Sequence, residues 1–249
     1  MEIVFLEKGS LGNDLDLSYF SELGHVTFYE LTKPEEVPER IRDADVIIVN
    51  KIPMNEATLS GASHLKLVAL TATGMNNIDF DYTNSHGIQV KNVAGYSTNA
   101  VAQHTFALLF YVLHRLAYYD NYVKSGAYCT NPGFSHFDEK FSELDGKTWG
   151  IVGMGAIGQR VASIAEAFGC HVIYYSTSGR NTDQPYERVD FEELLKRSDV
   201  ISLHAPLNPD TEGIMNREAF RKMKKSAFLV NVARGGLVVE QDLADALNS

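Results

Sequence analysis

The order of apolar segments predicts an α/β protein built as two doubly wound parallel-sheet domains. Three observations carry that prediction. Short strand-like runs alternate with helix-like segments along the whole chain, the pattern of parallel sheets covered by helices on both faces. A glycine turn of the form G-x-G-x-x-G joins a strand to a helix at Lys147-Thr-Trp-Gly-Ile-Val-Gly-Met-Gly-Ala-Ile-Gly158. Between the two alternating series lies one long helix-like stretch, residues 97–124, followed by a polar loop with Gly and Pro over residues 125–141.

The elements follow in order. Residues 3–6 read as a strand, Leu17, Phe20 and Leu23 mark a helix, and residues 26–29 form the next strand. Residues 34–42 read as a helix with Pro34 in its first turn, where a missing N–H costs nothing. Strands are expected at residues 46–49, 67–70 and 88–90, with short helices between them. The long helix and loop then suit a hinge, dividing the chain into domains of residues 1–99 and 100–249. The second series starts with a buried strand over residues 148–152. Ile157, Val161, Ile164, Ala165 and Phe168 recur at the spacing of one helix face. Gly169 stops that helix, and strands follow over residues 171–175, 200–204 and 228–232. Asp190-Phe-Glu-Glu193 reads as a capping box and Asn216 as a helix N-cap.

Composition narrows the function classes. The 249 residues are 45% hydrophobic and 22% charged, enough to build sizeable cores. A net charge of −10 argues against nucleic-acid and anionic-membrane partners. The basic run Arg221-Lys-Met-Lys-Lys225 reads as a solvated helix terminus. Two cysteines, Cys129 and Cys170, give neither a disulfide framework nor metal-ligand spacing, so the expectation is a reducing cytoplasm and no metal. The chain opens directly on a strand with no basic leader, and the apolar helix around residues 105–113 is too short to span a bilayer.

The glycine turn carries the first chemistry. Gly153 permits the tight turn, Gly155 lets backbone approach a pyrophosphate, and Gly158 lets helix and strand pack closely. The unpaired N–H groups and dipole at the helix start supply an anion site. A purely structural glycine turn is the plainer alternative.

Further segments give the chain its likeness. Glu143-Leu-Asp-Gly-Lys-Thr-Trp-Gly through Gly158, Asp199-Val-Ile-Ser-Leu-His-Ala-Pro through Gly213, and Met223-Lys through Asn231-Val-Ala-Arg-Gly-Gly236 follow one another in order. In the first domain stand Ala72-Thr-Gly-Met-Asn-Asn-Ile-Asp79 and Ala94-Gly-Tyr-Ser-Thr-Asn-Ala-Val-Ala-Gln-His104. Almost from end to end the chain resembles the D-isomer-specific 2-hydroxyacid dehydrogenases, and most of all their glycerate dehydrogenase (hydroxypyruvate reductase) branch. The resemblance implies a flavodoxin-like substrate lobe and a Rossmann NAD(P)-binding lobe. It also implies hydride transfer between NAD(P)H and a small 2-oxo acid, and a homodimer. The lobes are expected to close about the Ser97 region and exclude water.

Reducing a 2-oxo acid needs a hydride donor, a cation beside the carboxylate and carbonyl oxygens, and a proton for the new alkoxide. Arg234 lies just past the strand over residues 228–232, where ligands of such sheets bind, and its planar fork suits a carboxylate. A surface arginine in a turn is the alternative. The resemblance implies that the backbone N–H groups of Gly74 and Met75 bind the substrate carboxylate. Lys51 adds positive charge at the crevice, or is simply a solvated lysine. It further implies that Ala156 and Ile157 meet the pyrophosphate through backbone N–H. His204, Ala205, Pro206 and Thr211 would line the adenosine side, with Val232 and Ala233 near the nicotinamide. His104, on the hinge helix, reads as a packing or hydrogen-bonding histidine.

Two departures stand out. Eighteen residues past Gly158, where an NAD site usually carries Asp or Glu, stands Ser176, followed by Thr177-Ser-Gly-Arg180. Without that carboxylate a 2′-phosphate meets no repulsion, and Arg180 can bind one, so the reading leans towards NADP(H) over NAD(H). The alternative has Arg180 in solvent and Ser176 on an NAD ribose. The second departure lies downstream of Arg234. The family's proton-relay Glu and His have no counterpart here, nor does its Asp near the nicotinamide amide. The expectation is therefore an incomplete dinucleotide domain, with weak cofactor binding and little turnover by these 249 residues alone. The rival reading is a non-enzymatic dinucleotide-sensing or partner-binding protein on the same scaffold.

Overall fold

A computed structural model describes residues 1–249, which form two compact units, Met1–Tyr96 and Ser97–Ser249. Both are α/β, each with one five-stranded sheet.

The first unit runs β1 (Glu2–Phe5), β2 (His25–Phe28), α1 (Val37–Arg40), β3 (Val46–Val49), α2 (Glu56–Leu59), β4 (Leu67–Leu70), α3 (Phe80–Ser85) and β5 (Gln89–Lys91). Its strands are all parallel, in the order β2-β1-β3-β4-β5. Successive side chains of a strand face opposite sides, so Ile47 and Val49 join one core with Leu6, Met54, Leu59 and Val68, while Ile48 joins Ile3 and Phe5 in the other. The helix expected around Leu17 to Leu23 is a 3-10 turn, Ser18–Glu22. That expected over residues 34–42 is a 3-10 turn, Pro34–Glu36, running into the short α1. Pro38 has no N–H to give the carbonyl of Pro34, so an unbroken α-helical ladder cannot form there.

The second unit runs α4 (Thr98–Leu113), α5 (Leu116–Lys124), α6 (Ala127–Thr130), β6 (Thr148–Val152), α7 (Ala156–Ala167), β7 (His171–Tyr175), β8 (Glu187–Arg188), α8 (Phe191–Arg197), β9 (Val200–Leu203), α9 (Arg217–Lys222), β10 (Phe228–Asn231) and α10 (Glu240–Leu247). The parallel strands lie in the order β10-β9-β6-β7-β8. Trp149, fully buried on β6, packs against Phe106 of α4 with ring centres 4.7 Å apart.

Four expectations are corrected here. The single helix over residues 97–124 is two, broken where Arg115 takes a left-handed conformation (φ 53°) and His114 stacks on Phe141. The loop that follows contains the helical turn α6. His104 is not packed: α4 buries Ala102, Thr105, Phe106, Leu109 and Leu113, which leaves residue 104 on the exposed side of the helix. Asn216 caps α9 by accepting from the N–H of Ala219; Asp190 accepts from the N–H of Glu193, but the Glu193 carboxylate turns to Arg197 and makes no return bond, so the expected capping box is a simple N-cap. The strand β8 carries no apolar signal and escaped the sequence reading.

Candidate functional site

Because all strands of the second unit are parallel, the loops that leave their carboxyl ends emerge along one edge of the sheet. Three carry predicted residues: the turn after β6, the segment after β9 and the turn after β10.

After β6 the chain makes the glycine turn. Gly153 has φ +96°, and a Cβ there would stand 2.7 Å from the backbone N of Ala205. A Cβ on Gly158 would stand 2.2 Å from the carbonyl oxygen of Gly153. These two positions are closed to any side chain. Gly155 differs, because nothing lies within 4 Å of the place its Cβ would occupy. It is the N-cap of α7, has no side-chain cap, and no acidic residue stands in the helix's first turn. The amides of Ala156, Ile157 and Gly158 therefore lack helical acceptors and face an uncluttered helix start. Such a start fits a pyrophosphate.

The segment after β9 packs against that turn. The Trp149 indole N–H donates to Ser202 Oγ at 2.9 Å, and His204 Nε2 lies 3.0 Å from the same oxygen. Ser202 Oγ thus joins the Trp149 indole to the His204 ring, fixing the orientation of the imidazole. The ring's Nδ1 is buried with no partner. Burial pushes the His204 pKa down to about 4, so the ring is neutral. An orphaned buried ring nitrogen beside a glycine turn is a second feature that fits a polar ligand. Ala205 is buried and Pro206 exposed. Thr211 is buried as well, its hydroxyl donating to the carbonyl of Pro206 at 2.6 Å, so its side chain closes the 206–211 loop from within.

After β10, Asn231 braces the turn. Its Oδ1 accepts from the N–H of Ala233 at 3.0 Å and its Nδ2 donates to the carbonyl of Arg234 at 2.9 Å. Val232 and Ala233 are half-buried. Arg234 is exposed, donates to the carbonyl of Ala233 and forms no ion pair. The fork is thus unneutralised.

At the end of β7, Ser176 is buried and its hydroxyl donates to the carbonyl of Arg180 at 2.5 Å. That bond closes the 176–180 turn, and the Arg180 side chain is exposed without an ion pair.

In the first unit, Lys51 follows β3 and is exposed, while Gly74 and Met75 follow β4 and are half-buried. Side-chain amides tie these loops down. Asn77 Nδ2 donates to the carbonyl of Ile52 at 2.8 Å, and Asn92 Nδ2 to that of Thr73 at 2.7 Å. Thr73 Oγ1 in turn donates to the carbonyl of Val93 at 2.9 Å. Asn77, Asn92, Asn231 and Ser202 were all missed in sequence. An Asn at or just past a strand end is the one local signal, and it points only to Asn92 and Asn231. No group of three or more His, Cys, Asp or Glu side chains is arranged to hold a metal ion, and no helix is long and apolar enough to cross a membrane.

Residues 106–249 match the NAD binding domain of the D-isomer specific 2-hydroxyacid dehydrogenases. A hydroxypyruvate reductase of Blautia hydrogenotrophica is 40% identical over 255 aligned residues, covering 100% of this chain and 79% of that protein. A glycerate dehydrogenase of Methylorubrum extorquens is 38% identical, covering 99% of this chain and 76% of its own length. Among solved structures, an acyclic imino acid reductase in complex with NADPH and D-arginine superposes with a TM-score of 0.89 at 34% identity. That match covers 100% of this chain and 79% of the other.

Proposed function

The chain belongs to the D-isomer specific 2-hydroxyacid dehydrogenase family, and from that premise we propose an NAD(P)-linked oxidoreductase of small 2-oxo and 2-hydroxy acids. Hydroxypyruvate with glycerate, or glyoxylate with glycolate, is the favoured pair, in keeping with the names of the relatives. One observation carries the reading: an unneutralised Arg234 stands at the same sheet edge as the open Gly155 turn. The dinucleotide, when bound, would supply the hydride; the new alkoxide also takes up one proton, for which none of these 249 residues is assigned as donor. Arg234 then holds the substrate carboxylate through two parallel N–H bonds and stabilises charge on the carbonyl oxygen. In the first domain, the backbone N–H groups of Gly74 and Met75 and the Lys51 ammonium are the groups proposed to recognise the substrate carboxylate. The unit Met1–Tyr96 thus serves the substrate and Ser97–Ser249 the dinucleotide, the division falling just before α4 and not within it at residue 99.

The test is a screen of hydroxypyruvate, glyoxylate and pyruvate against NADH and NADPH on the protein at its native length. Arg234→Gln is expected to lower kcat/KM about 100-fold, the worth of a charged bidentate contact, with NAD(P)H affinity unchanged. Equal activity in the variant overturns the assignment.

For the dinucleotide the reading leans to NADP(H). The turn that Ser176 closes holds no carboxylate and presents the Arg180 guanidinium free of any ion pair. Arg180→Ala is expected to raise the KM for NADPH about tenfold, one charge-assisted contact, and to leave that for NADH in place. A strong NADH preference in the parent protein rejects the lean.

A homodimer is the proposed assembly, supported by apolar rings left bare in one segment: Phe134 is 90% exposed and Phe137 79%. Sedimentation of the parent and of a Phe134→Ser, Phe137→Ser pair tests it, a shift to monomer being expected. Two unpaired cysteines, one exposed and one buried, accord with a reducing cytoplasm as the place of work.

A further inference from the structure

The loop that carries Lys51 is organised by a carboxylate from a neighbouring strand. Glu7 lies two residues past β1, and Lys51 two past β3. These strands are adjacent and parallel, Phe5 standing opposite Ile48. The chain leaves β1 towards β2 on one side, while β3 pairs on the other with β4. Such a point of divergence in an open parallel sheet is where ligands bind.

Here the position is filled from within. Glu7 Oε2 accepts from three successive backbone N–H groups, those of Asn50 at 2.7 Å, Lys51 at 2.8 Å and Ile52 at 3.3 Å. Successive amides wrapped around one anion make a nest, and this nest is occupied by the protein's own carboxylate. Two consequences follow. The amides of residues 50–52 are spent, so an incoming anion meets this loop through the Lys51 side chain. Glu7 also directs its charge at the amides and forms no ion pair with Lys51, leaving the exposed ammonium unneutralised. On its other side the loop is held by Asn77, whose Nδ2 donates to the carbonyl of Ile52, and by the N–H of Met54 on the carbonyl of Asn77 at 2.7 Å.

We propose that Glu7 is a positioning residue for substrate recognition, fixing residues 50–52 so that the Lys51 ammonium stands ready for the carboxylate of a 2-oxo acid. This rests on the functional reading above and adds to it a residue that no motif singles out. A merely structural Glu7 would affect folding without acting through Lys51, and a double-mutant cycle separates the two roles.

Glu7→Ala and Glu7→Gln are made in the native-length protein, each alone and with Lys51→Met. Steady-state kinetics with hydroxypyruvate and glyoxylate are read beside the NAD(P)H dissociation constant and the melting temperature. Glu7→Ala is expected to raise the substrate KM about tenfold with kcat within about twofold, as a lost ground-state contact does. Glu7→Gln, which keeps an acceptor oxygen, should raise it about threefold. Neither should change NAD(P)H affinity, and neither should raise KM further once Lys51 is Met. Unchanged KM, or effects that add in full to that of Lys51→Met, overturns the proposal. If Glu7→Ala does not fold, the Glu7→Gln cycle decides alone. A parent protein that turns over no 2-oxo acid refutes the functional reading itself; an active parent with indifferent Glu7 variants refutes only this inference.

Discussion

The two sheets are alike in size and parallel throughout, yet they shape their carboxyl-end loops by different means. In the second unit the work falls to absent side chains: Gly153 and Gly158 let backbone meet backbone at distances no Cβ allows, and Gly155 leaves the start of α7 bare. In the first unit it falls to side chains that reach across. Glu7 gathers three amides, Asn77 spans two loops, and Asn92 and Thr73 tie a third. Steric contacts of the first kind are all-or-none, since a clash against backbone cannot be relieved by rotating a side chain. Hydrogen-bonded braces are graded, each worth about 1 kcal/mol net. The two units should therefore fail differently when altered.

The largest effect belongs to the glycine turn. Gly158→Ala places a methyl group 2.2 Å from the carbonyl oxygen of Gly153 and 3.3 Å from Ile151 Cγ2. Overpacking of this sort costs about 3 kcal/mol, read as a drop in melting temperature together with lost NAD(P)H binding. Gly155→Ala is the sharper comparison. Its methyl meets nothing within 4 Å, so thermal stability should hold while NAD(P)H affinity falls about tenfold, because the methyl would crowd the proposed pyrophosphate site at that helix start. Equal loss of stability in both variants would break the distinction between closed and open glycines.

Next in size is a pH effect peculiar to the second unit. Burial holds the His204 pKa at about 4, against about 6.5 in an unfolded chain. Between those values the unfolded state binds a proton that the folded state refuses. Stability is therefore full above the unfolded value and falls as pH drops towards the folded one, by about 2 kcal/mol at pH 5. His204→Asn should flatten the melting temperature between pH 7 and pH 5 relative to the parent protein. A parallel slope in the two proteins would mean that the ring does not stay neutral.

How much of this could be read from sequence follows the same division. The β6 strand, its glycine turn and α7 were legible because glycine spacing and helical periodicity are local, and each residue involved lies within 21 positions of the others. Pro38 was legible too and was overlooked, although a proline four residues after Pro34 interrupts the ladder. Arg115 was not legible, since nothing in its neighbours marks an arginine for a left-handed backbone. Nor was β8, whose two residues are polar and exposed. The braces were hidden for a third reason. Glu7 meets its amides across 43 to 45 residues, and Asn77 meets Ile52 across 25, so only the assembled sheet brings them together.

The smallest effect tests whether a first-unit brace is graded. Asn77→Ala removes one donor group, with its 2.8 Å bond to the carbonyl of Ile52 and a long 3.5 Å one to that of Asn50, while the backbone bonds between residues 54 and 77 and between 79 and 54 remain. The loss should be about 1 kcal/mol of stability, a few degrees in melting temperature. The substrate KM should rise two- to threefold, since about half a kcal/mol of lost positioning corresponds to that factor. NAD(P)H affinity should not move. The reason for expecting so little is that Glu7 still holds the same loop by its amides. A redundant brace yields slack before it yields collapse. Asn77→Ala combined with Glu7→Gln should then cost more than the sum of the two, because the second cut frees a loop that the first only loosened. Strict additivity would mean that the two braces act on separate parts of the loop, and the picture of one clamp gripping it from both sides would fail.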